Sequence, residues 1–450
     1  MKKIQLEEVI DRAYSPKKRQ RILVLISEGG GGHKMAAESL KDIFSPDYDV
    51  EVVNVITQII HRLDFLNSLT RGGVTGEDVY NFMLRKGYHK GAYYIFGVIG
   101  SKYMCANQLK IEKLFEKYLK TISVSYDLVI STVPFVNSGI AKALQKRQLP
   151  FIILPTDLDT STFFIGMKKA HFKPEDKIAF ALPYDDDDLR KKGLKNASIP
   201  QDKIVITGFP VRGGCQKQYS LGQVALLKLK HGFYGNKFSL TLILGASGNR
   251  RLLQYTQELS KLMNEDFSLP LEINVCVGRN EKIRQTILKW FLEQGGVVVK
   301  ETTSFITIQT VNGLLFHLRK FTKDIIEIMV CSDLIITKTG SCSVNEGIYL
   351  GKKLLLDNTD SSSARHLFWE TFNLHFVRKH GFGDVFYQIS EMTTLIRVLL
   401  KEDMGHPVVS GAFPIPDFRK NITKVVSDLL GITQPDHVVE TLSTFSACSL

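Results

Sequence analysis

An α/β fold built on two parallel sheets is predicted by three features of the 450-residue chain. Short β-branched runs recur at intervals wide enough to hold a helix between them. Most are nearly continuous in apolar residues, the pattern of strands buried on both faces of a parallel sheet. Helical spacing fills the gaps, first at Ala36, Leu40, Ile43 and Phe44, which share one face of a helix after the first run.

The first set of runs covers 21–27, 51–56, 127–131, 151–155, 178–182 and 204–207. The second covers 240–244, 272–277, 296–300, 314–318, 333–337 and 354–357. Between them, Thr207-Gly208-Phe209-Pro210 punctuates the chain, and the interdomain linker is expected near 213–230. The expected layout is a basic extension over 1–20, a first domain over 21–212 and a second over 213–416. A helix over 417–431 and a Ser/Thr-rich tail over 432–450 follow.

Composition excludes several classes. With 44% hydrophobic and 23% charged residues, the chain is neither disordered, collagen-like nor a disulfide scaffold. No apolar run reaches the ~18 residues that a spanning helix needs, and the polar start Met1-Lys2-Lys3 lacks a signal peptide's apolar stretch. Six scattered cysteines form no Cys-x-x-Cys pair, so neither a zinc site nor a disulfide framework is expected, and a reduced, cytoplasmic protein is. The net charge of +12 points to anionic partners: nucleic acid, nucleotide phosphates or an acidic membrane surface. No nucleic-acid-binding motif is present, so nucleic acid is not an expected partner.

Residues 61–125 break the alternation. Between 81 and 120 stand eight Lys or Arg against two Glu, interleaved with aromatics. Arg85, Lys86, Lys90, Tyr93, Tyr94 and Phe96 suit a membrane interface, where rings sit at headgroup depth and cations meet anionic lipid. Helices packed on the core with a solvated basic face are the alternative.

Five motifs carry chemistry. Ser27-Glu28-Gly29-Gly30-Gly31-Gly32-His33 follows the first strand and opens a helix. Gly30, Gly31 and Gly32 let backbone N–H groups approach an anion at the helix amino end, and His33 arrives at the carboxyl ends of the strands, where open α/β sheets bind ligands. A flexible turn is the alternative. Thr339-Gly340-Ser341-Cys342-Ser343-Val344-Asn345-Glu346 also joins a strand to a helix; Ser341 or Ser343 is expected as a cap, and Glu346 either accepts from ribose hydroxyls or closes a capping box. Arg212, after Thr207–Pro210, is placed to meet an anion in the cleft or to lie on a linker surface. Cys276-Val277-Gly278-Arg279-Asn280 is a strand and turn. Asp157 ends a strand, where a carboxylate orients an acceptor hydroxyl, assists its deprotonation, or caps the next element.

In that order, the Gly29–His33 loop, the 206–212 turn, the 275–280 turn and the segment 332–356 resemble the GT-B glycosyltransferases that include monogalactosyldiacylglycerol synthase and the processive diacylglycerol glucosyltransferases of bacteria. The resemblance spans residues 20–430, and Tyr80-Asn81-Phe82 is similar to the acceptor-side region of the lipid-galactosyl enzymes. It implies two Rossmann-like domains with parallel sheets facing across a cleft. It implies a lipid acceptor at the first domain and a UDP-sugar at the second, with no metal and no cofactor. On that resemblance His33 is the candidate general base, with Asp157 beside it, and Gly30–Gly32 line the acceptor and phosphate side. Arg212, Gly245, Arg279, Asn280, Thr339, Gly340, Ser341, Ser343 and Glu346 fall on the donor side. Glu370 and Asn373, in the segment 366–373, fall near the donor sugar.

The implied activity is transfer of a hexose from UDP-glucose or UDP-galactose to a lipid hydroxyl, diacylglycerol first, on the cytoplasmic face of an anionic membrane. A polyprenyl-linked peptidoglycan precursor or another acceptor is the alternative, and a degenerate nucleotide-sugar-binding protein is the third reading.

Overall fold

The computed structural model describes residues 19–70, 72–86, 88–195, 197–245, 251–263, 270–359, 368–401 and 413–432. The extension before 19, most of the tail after 431 and His366 of the later donor-side segment lie outside them.

Six strands form the first sheet: β1 (Arg21–Ile26), β2 (Asp49–Asn54), β3 (Leu128–Ser131), β4 (Phe151–Ile153), β5 (Ile178–Leu182) and β6 (Ile204–Ile206). Their order is β2-β1-β3-β4-β5-β6, parallel throughout. The predicted second strand ends earlier, at Asn54, because the Asn54 carboxamide accepts from the Ile56 and Thr57 N–H groups and turns the chain into a helical segment. β1 is buried on both faces. Ile22 and Val24 pack with Leu40 and Ile43 of helix α1 (Gly32–Phe44), while Leu23 and Leu25 pack with Phe115 and Ile140 on the other side.

Helix α2 (Gly76–Lys86) belongs to the irregular stretch between β2 and β3, which also contains a π-helical segment, Tyr93–Gly100. Helix α3 (Leu221–Lys230) lies between the two sheets in sequence, within the predicted linker, with a Ser220/Gln223 capping box at its start.

The second sheet contains β7 (Phe238–Ile243), β8 (Leu271–Gly278), β9 (Val297–Glu301), β10 (Phe305–Gln309), β11 (Leu315–Lys320), β12 (Leu334–Lys338), β13 (Lys353–Asp357) and β14 (Gly383–Phe386). The order is β14-β13-β12-β7-β8-β11-β10-β9. From β14 to β11 it is parallel, but β10 and β9 run antiparallel as an edge hairpin. The sequence reading placed β9 in the parallel set and missed β10 and β14. The three consecutive valines of β9 look like a buried strand, yet all five of its residues are exposed at the sheet edge. β10 hides behind its Thr307, a polar residue that is buried because it bonds to His317.

Helices α4 (Glu281–Glu293), α5 (Ser341–Tyr349) and α6 (Phe368–Lys379) follow β8, β12 and β13. The last helix, α7 (Phe418–Leu430), starts on the Asp417 cap and ends on left-handed Gly431. Its Phe418, Ile422 and Val426 return to the first sheet and pack with Ile22, Val24 and Leu40.

The turn after β6 fixes this crossing. Gly208 has φ +91°, and a Cβ there would stand 2.5 Å from the Tyr349 hydroxyl and 2.9 Å from the Pro416 carbonyl oxygen. The same hydroxyl accepts from the Phe209 N–H and donates to that Pro416 carbonyl, both at 2.9 Å. Gly208→Ala is therefore expected to destabilise the chain by about 3 kcal/mol, combining backbone strain with overlap. A urea midpoint unchanged by the substitution would contradict this.

Candidate active site between the two sheets

The glycine loop is held by the segment that interrupts the first sheet. The Glu28 N–H donates to Glu77 Oε1 at 2.7 Å, and the Gly30 N–H donates to Asn81 Oδ1 at 3.1 Å. Asn81 Nδ2 donates back to the Glu28 carbonyl at 2.8 Å. Gly30 takes φ +88°, and neither Gly30 nor Gly31 has any atom where a Cβ would meet it, so their backbone faces open space.

Two helices begin at this opening. α1 starts on Gly31 and α5 on Gly340, and neither has a side-chain cap. The predicted capping by Ser341 or Ser343 is thus corrected, and the capping-box reading of Glu346 falls with it. A Cβ on Gly32 would lie 3.4 Å from Cys342 Sγ, so the two amino ends nearly touch. Their unpaired N–H groups and partial positive charges converge, a setting for an anion.

Ser341 is engaged instead with the opposite domain. Its hydroxyl donates to Asp157 Oδ1 at 2.8 Å and accepts from Asn373 Nδ2 at 3.0 Å. Asn373 also donates to the Thr339 carbonyl at 2.5 Å, and the Thr339 hydroxyl donates to Glu370 at 3.3 Å. Burial pushes the Asp157 carboxyl up to about 7, with the negative charges of Glu370 and Asp159 adding to it against the Ser341 hydrogen bond. Burial also holds Glu370 above the ordinary carboxylate range, and it raises the Tyr80 phenol, helped by Glu370 and Asp157. Asp157, Glu370, Thr339, Ser341 and Asn373 therefore form one cluster across the cleft.

The Asp157 shift has a consequence for stability. An unfolded aspartate ionises near ~3.9, so as pH rises the unfolded chain releases this proton before the folded one. The group favours folding at low pH, loses that contribution between about pH 4 and about pH 7, and is constant above. Asp157→Asn is expected to gain stability relative to the unsubstituted protein between pH 4 and pH 8, read from urea midpoints; a pH-independent difference would contradict the shift.

His33 is buried at the start of α1. Its Nδ1 lies 2.6 Å from the Thr132 carbonyl and 3.2 Å from the Thr156 hydroxyl. A carbonyl only accepts, so Nδ1 carries the proton and Nε2 is left as the acceptor. Burial drives the imidazole down to about 4, against the Thr132 hydrogen bond. His33 is therefore neutral at physiological pH because it is buried.

Arg212 and Glu346, expected to act separately on a phosphate and a ribose, are paired with each other. Arg212 Nε and Nη2 bond the two Glu346 oxygens at 2.5 and 2.7 Å, a bidentate fork. Both still line a cleft cavity of about 620 Å³, along with Gly245, Arg279 and Ser343. Lys34, Lys320 and Lys323 add cations to its wall. The sequence reading missed these lysines; their signal was position, directly after His33 and at the carboxyl end of β11. Arg279 lies over the Phe321 ring at 3.9 Å. Asn280 does not enter the cavity wall: its Oδ1 accepts from the Ile283 N–H at 3.1 Å and caps α4.

In the irregular stretch between β2 and β3, Phe82, Tyr88, Tyr94, Ile95, Ile99 and Tyr103 are exposed, as are Lys86 and Lys90. Lys86 lies over the Phe82 ring at 5.7 Å. Tyr93 packs on Tyr94 at 5.1 Å. Phe96, expected at the membrane, is half-buried and packs edge-on against Tyr80 at 5.2 Å. The Arg85 side chain lies outside the described residues. Among the described residues no helix is long and apolar enough to cross a membrane, and no group of acids, histidines and cysteines could hold a metal ion.

Two Rossmann-like sheets facing a cleft, each leading a helix amino end into it, define the GT-B fold, as the resemblance implied. Solved structures agree in fold: MurG of Acinetobacter baumannii (TM-score 0.53, 14% identity, 92% of this chain and all of that one) and UDP-GlcNAc 2-epimerase of Neisseria meningitidis bound to UDP-GlcNAc (TM-score 0.50, 12% identity, 92% of this chain and all of that one). UGT89C1 of Arabidopsis thaliana complexed with quercetin matches as well (TM-score 0.50, 15% identity, 92% of this chain and all of that one). Among curated proteins, the chain is 23% identical over 401 residues to the processive diacylglycerol β-glucosyltransferase of Bacillus cereus, covering 86% of this chain and 87% of that protein. It is 24% identical over 388 residues to the chloroplastic monogalactosyldiacylglycerol synthase of Spinacia oleracea, covering 82% of this chain and 64% of that protein. No family model matches the chain. The fold is the one the GT-B glycosyltransferases share, and the curated relatives are those the motifs resembled.

Proposed function

We propose that this protein transfers a hexose from UDP-glucose or UDP-galactose to the hydroxyl of a membrane lipid, diacylglycerol first, while bound to the cytoplasmic face of an anionic membrane. The observation that carries the proposal is the hydrogen-bonded joint between the glycine loop and the exposed aromatic segment, through Glu77 and Asn81. A surface suited to lipid and an anion-ready helix start are one continuous unit. The sequence relatives named for diacylglycerol substrates support the same acceptor.

In this reading the diphosphate lies at the amino ends of α1 and α5, with Arg279 and Lys320 beside it, and these fixed donors stabilise the charge on the departing UDP. His33 Nε2 accepts the proton of the acceptor hydroxyl as the new glycosidic bond forms, and Asp157 orients that hydroxyl. Glu370 and Asn373 face the sugar. The reading assigns no step to a metal, so turnover is expected to persist in a chelator; its abolition by EDTA would overturn that part.

The test is UDP release from each donor, with and without diacylglycerol in anionic vesicles. Diacylglycerol-dependent release establishes the activity. Release that depends instead on a polyprenyl-linked precursor, or UDP binding without release, rejects it. Reversing Lys86, Lys90, Lys102 and Lys110 together is expected to weaken vesicle binding by ~1 kcal/mol per cation that reaches the surface, most strongly at low salt. Unchanged or salt-independent binding would contradict an electrostatic contribution.

A further inference from the structure

A second cavity, of about 230 Å³, lies away from the cleft, between the end of α3 and the β9–β10 hairpin. Lys230, His231, Lys300, Thr302, Ser304 and Arg319 contribute its polar wall, and no carboxylate does. Glu327 already holds both Lys230, at 2.6 Å, and His231, at 2.5 Å. Lys300 and Arg319 make no ion pair among the described residues.

Arg319 is the unusual member. It is only 4% exposed and is clamped between the rings of Phe233 and Phe305, at 4.6 and 4.8 Å. Its Nε donates to Asn274 Oδ1 at 2.5 Å, but Nη2 is buried without any partner. Glu272 acts on it through its charge but does not bond to it: the Glu272 oxygens accept from the Tyr234 N–H, Ser239 and His317. A buried guanidinium with an unmade hydrogen bond and no direct ion pair is costly unless something completes it. Ser304 and Lys300 line the same cavity, and the Lys300 ammonium lies over the ring of Phe305, another of its lining residues, at 5.8 Å.

We propose that this cavity binds a phosphate monoester dianion. The two cations left unpaired, Arg319 and Lys300, match the two charges that such a group carries near neutral pH, and guanidinium, ammonium and hydroxyl donors suit its oxygens. β11 separates the site from the donor cleft: Arg319 faces this cavity, and the next residue, Lys320, faces the other.

The experiment is calorimetric titration of the full chain with inorganic phosphate and with sn-glycerol 3-phosphate, UDP being present in excess to fill the cleft. A parallel arm floats the protein on phosphatidylcholine vesicles with and without phosphatidate. Lys300 and Ser304 are exposed, so Lys300→Glu and Ser304→Asp are expected to fold normally. Saturable binding in either arm, weakened about tenfold or more by both variants and retained by Lys300→Arg, supports the site. Binding of the free esters names a soluble ligand, and variant-sensitive binding of phosphatidate vesicles alone names a lipid headgroup. No saturable binding in either arm, or binding that both variants leave unchanged, overturns it.

Discussion

Replacing His33 by alanine is expected to lower turnover by ~10²–10⁴-fold while UDP affinity stays within a few-fold. The reasoning is geometric. Thr132 occupies Nδ1, so Nε2 is the nitrogen open to a hydroxyl proton, and burial keeps the ring neutral above about pH 5. Because the ring is buried, His33→Gln serves as the volume-preserving companion, and a thermal melt separates lost chemistry from lost packing. The pH profile adds a readout that packing does not move. With His33 as base, its own titration leaves turnover flat from about pH 5 upward. Asp157, raised to about 7, would instead impose a rise centred near neutrality. That rise, together with an active His33→Ala, would move the role to Asp157.

Arg212→Ala is expected to cost about 3 kcal/mol of stability and most of the UDP affinity. Glu346 is 1% exposed, and its charge is answered by the Arg212 fork. Removing one partner of a buried pair typically costs ~3–5 kcal/mol, because the other charge is left without compensation. The lower end applies here, since the Arg212 side chain is 34% exposed and water reaches it. Arg212→Lys should recover only part, because an ammonium cannot reproduce the two-bond fork. The double variant Arg212→Ala/Glu346→Gln should be more stable than Arg212→Ala alone. Urea midpoints and UDP titration measure both effects. A loss in Arg212→Ala below ~0.5 kcal/mol, within the range of ordinary surface substitutions, would reduce the pair to a surface contact.

Much of this protein is legible in its residue order. The alternation of apolar runs and helical faces gives the two sheets, because strand and helix periods are local properties that a window of residues already contains. The glycine loop before α1 and the Thr339-Gly340 junction before α5 are legible for the same reason: glycine after a strand and before a helix leaves N–H groups free wherever the sheet ends. The β9–β10 hairpin was hidden, since apolar content does not say whether a strand is central or at an edge, and β9 is exposed throughout. Pairings between distant residues were hidden too. Ser341 with Asp157, Arg212 with Glu346 and Gly30 with Asn81 are separated by 184, 134 and 51 positions, and each exists only after the chain has packed. Burial is likewise a tertiary quantity. It moves His33 down and Asp157 up, and so decides which group is neutral at physiological pH, because the cost of a charge depends on the solvent that folding removes from it.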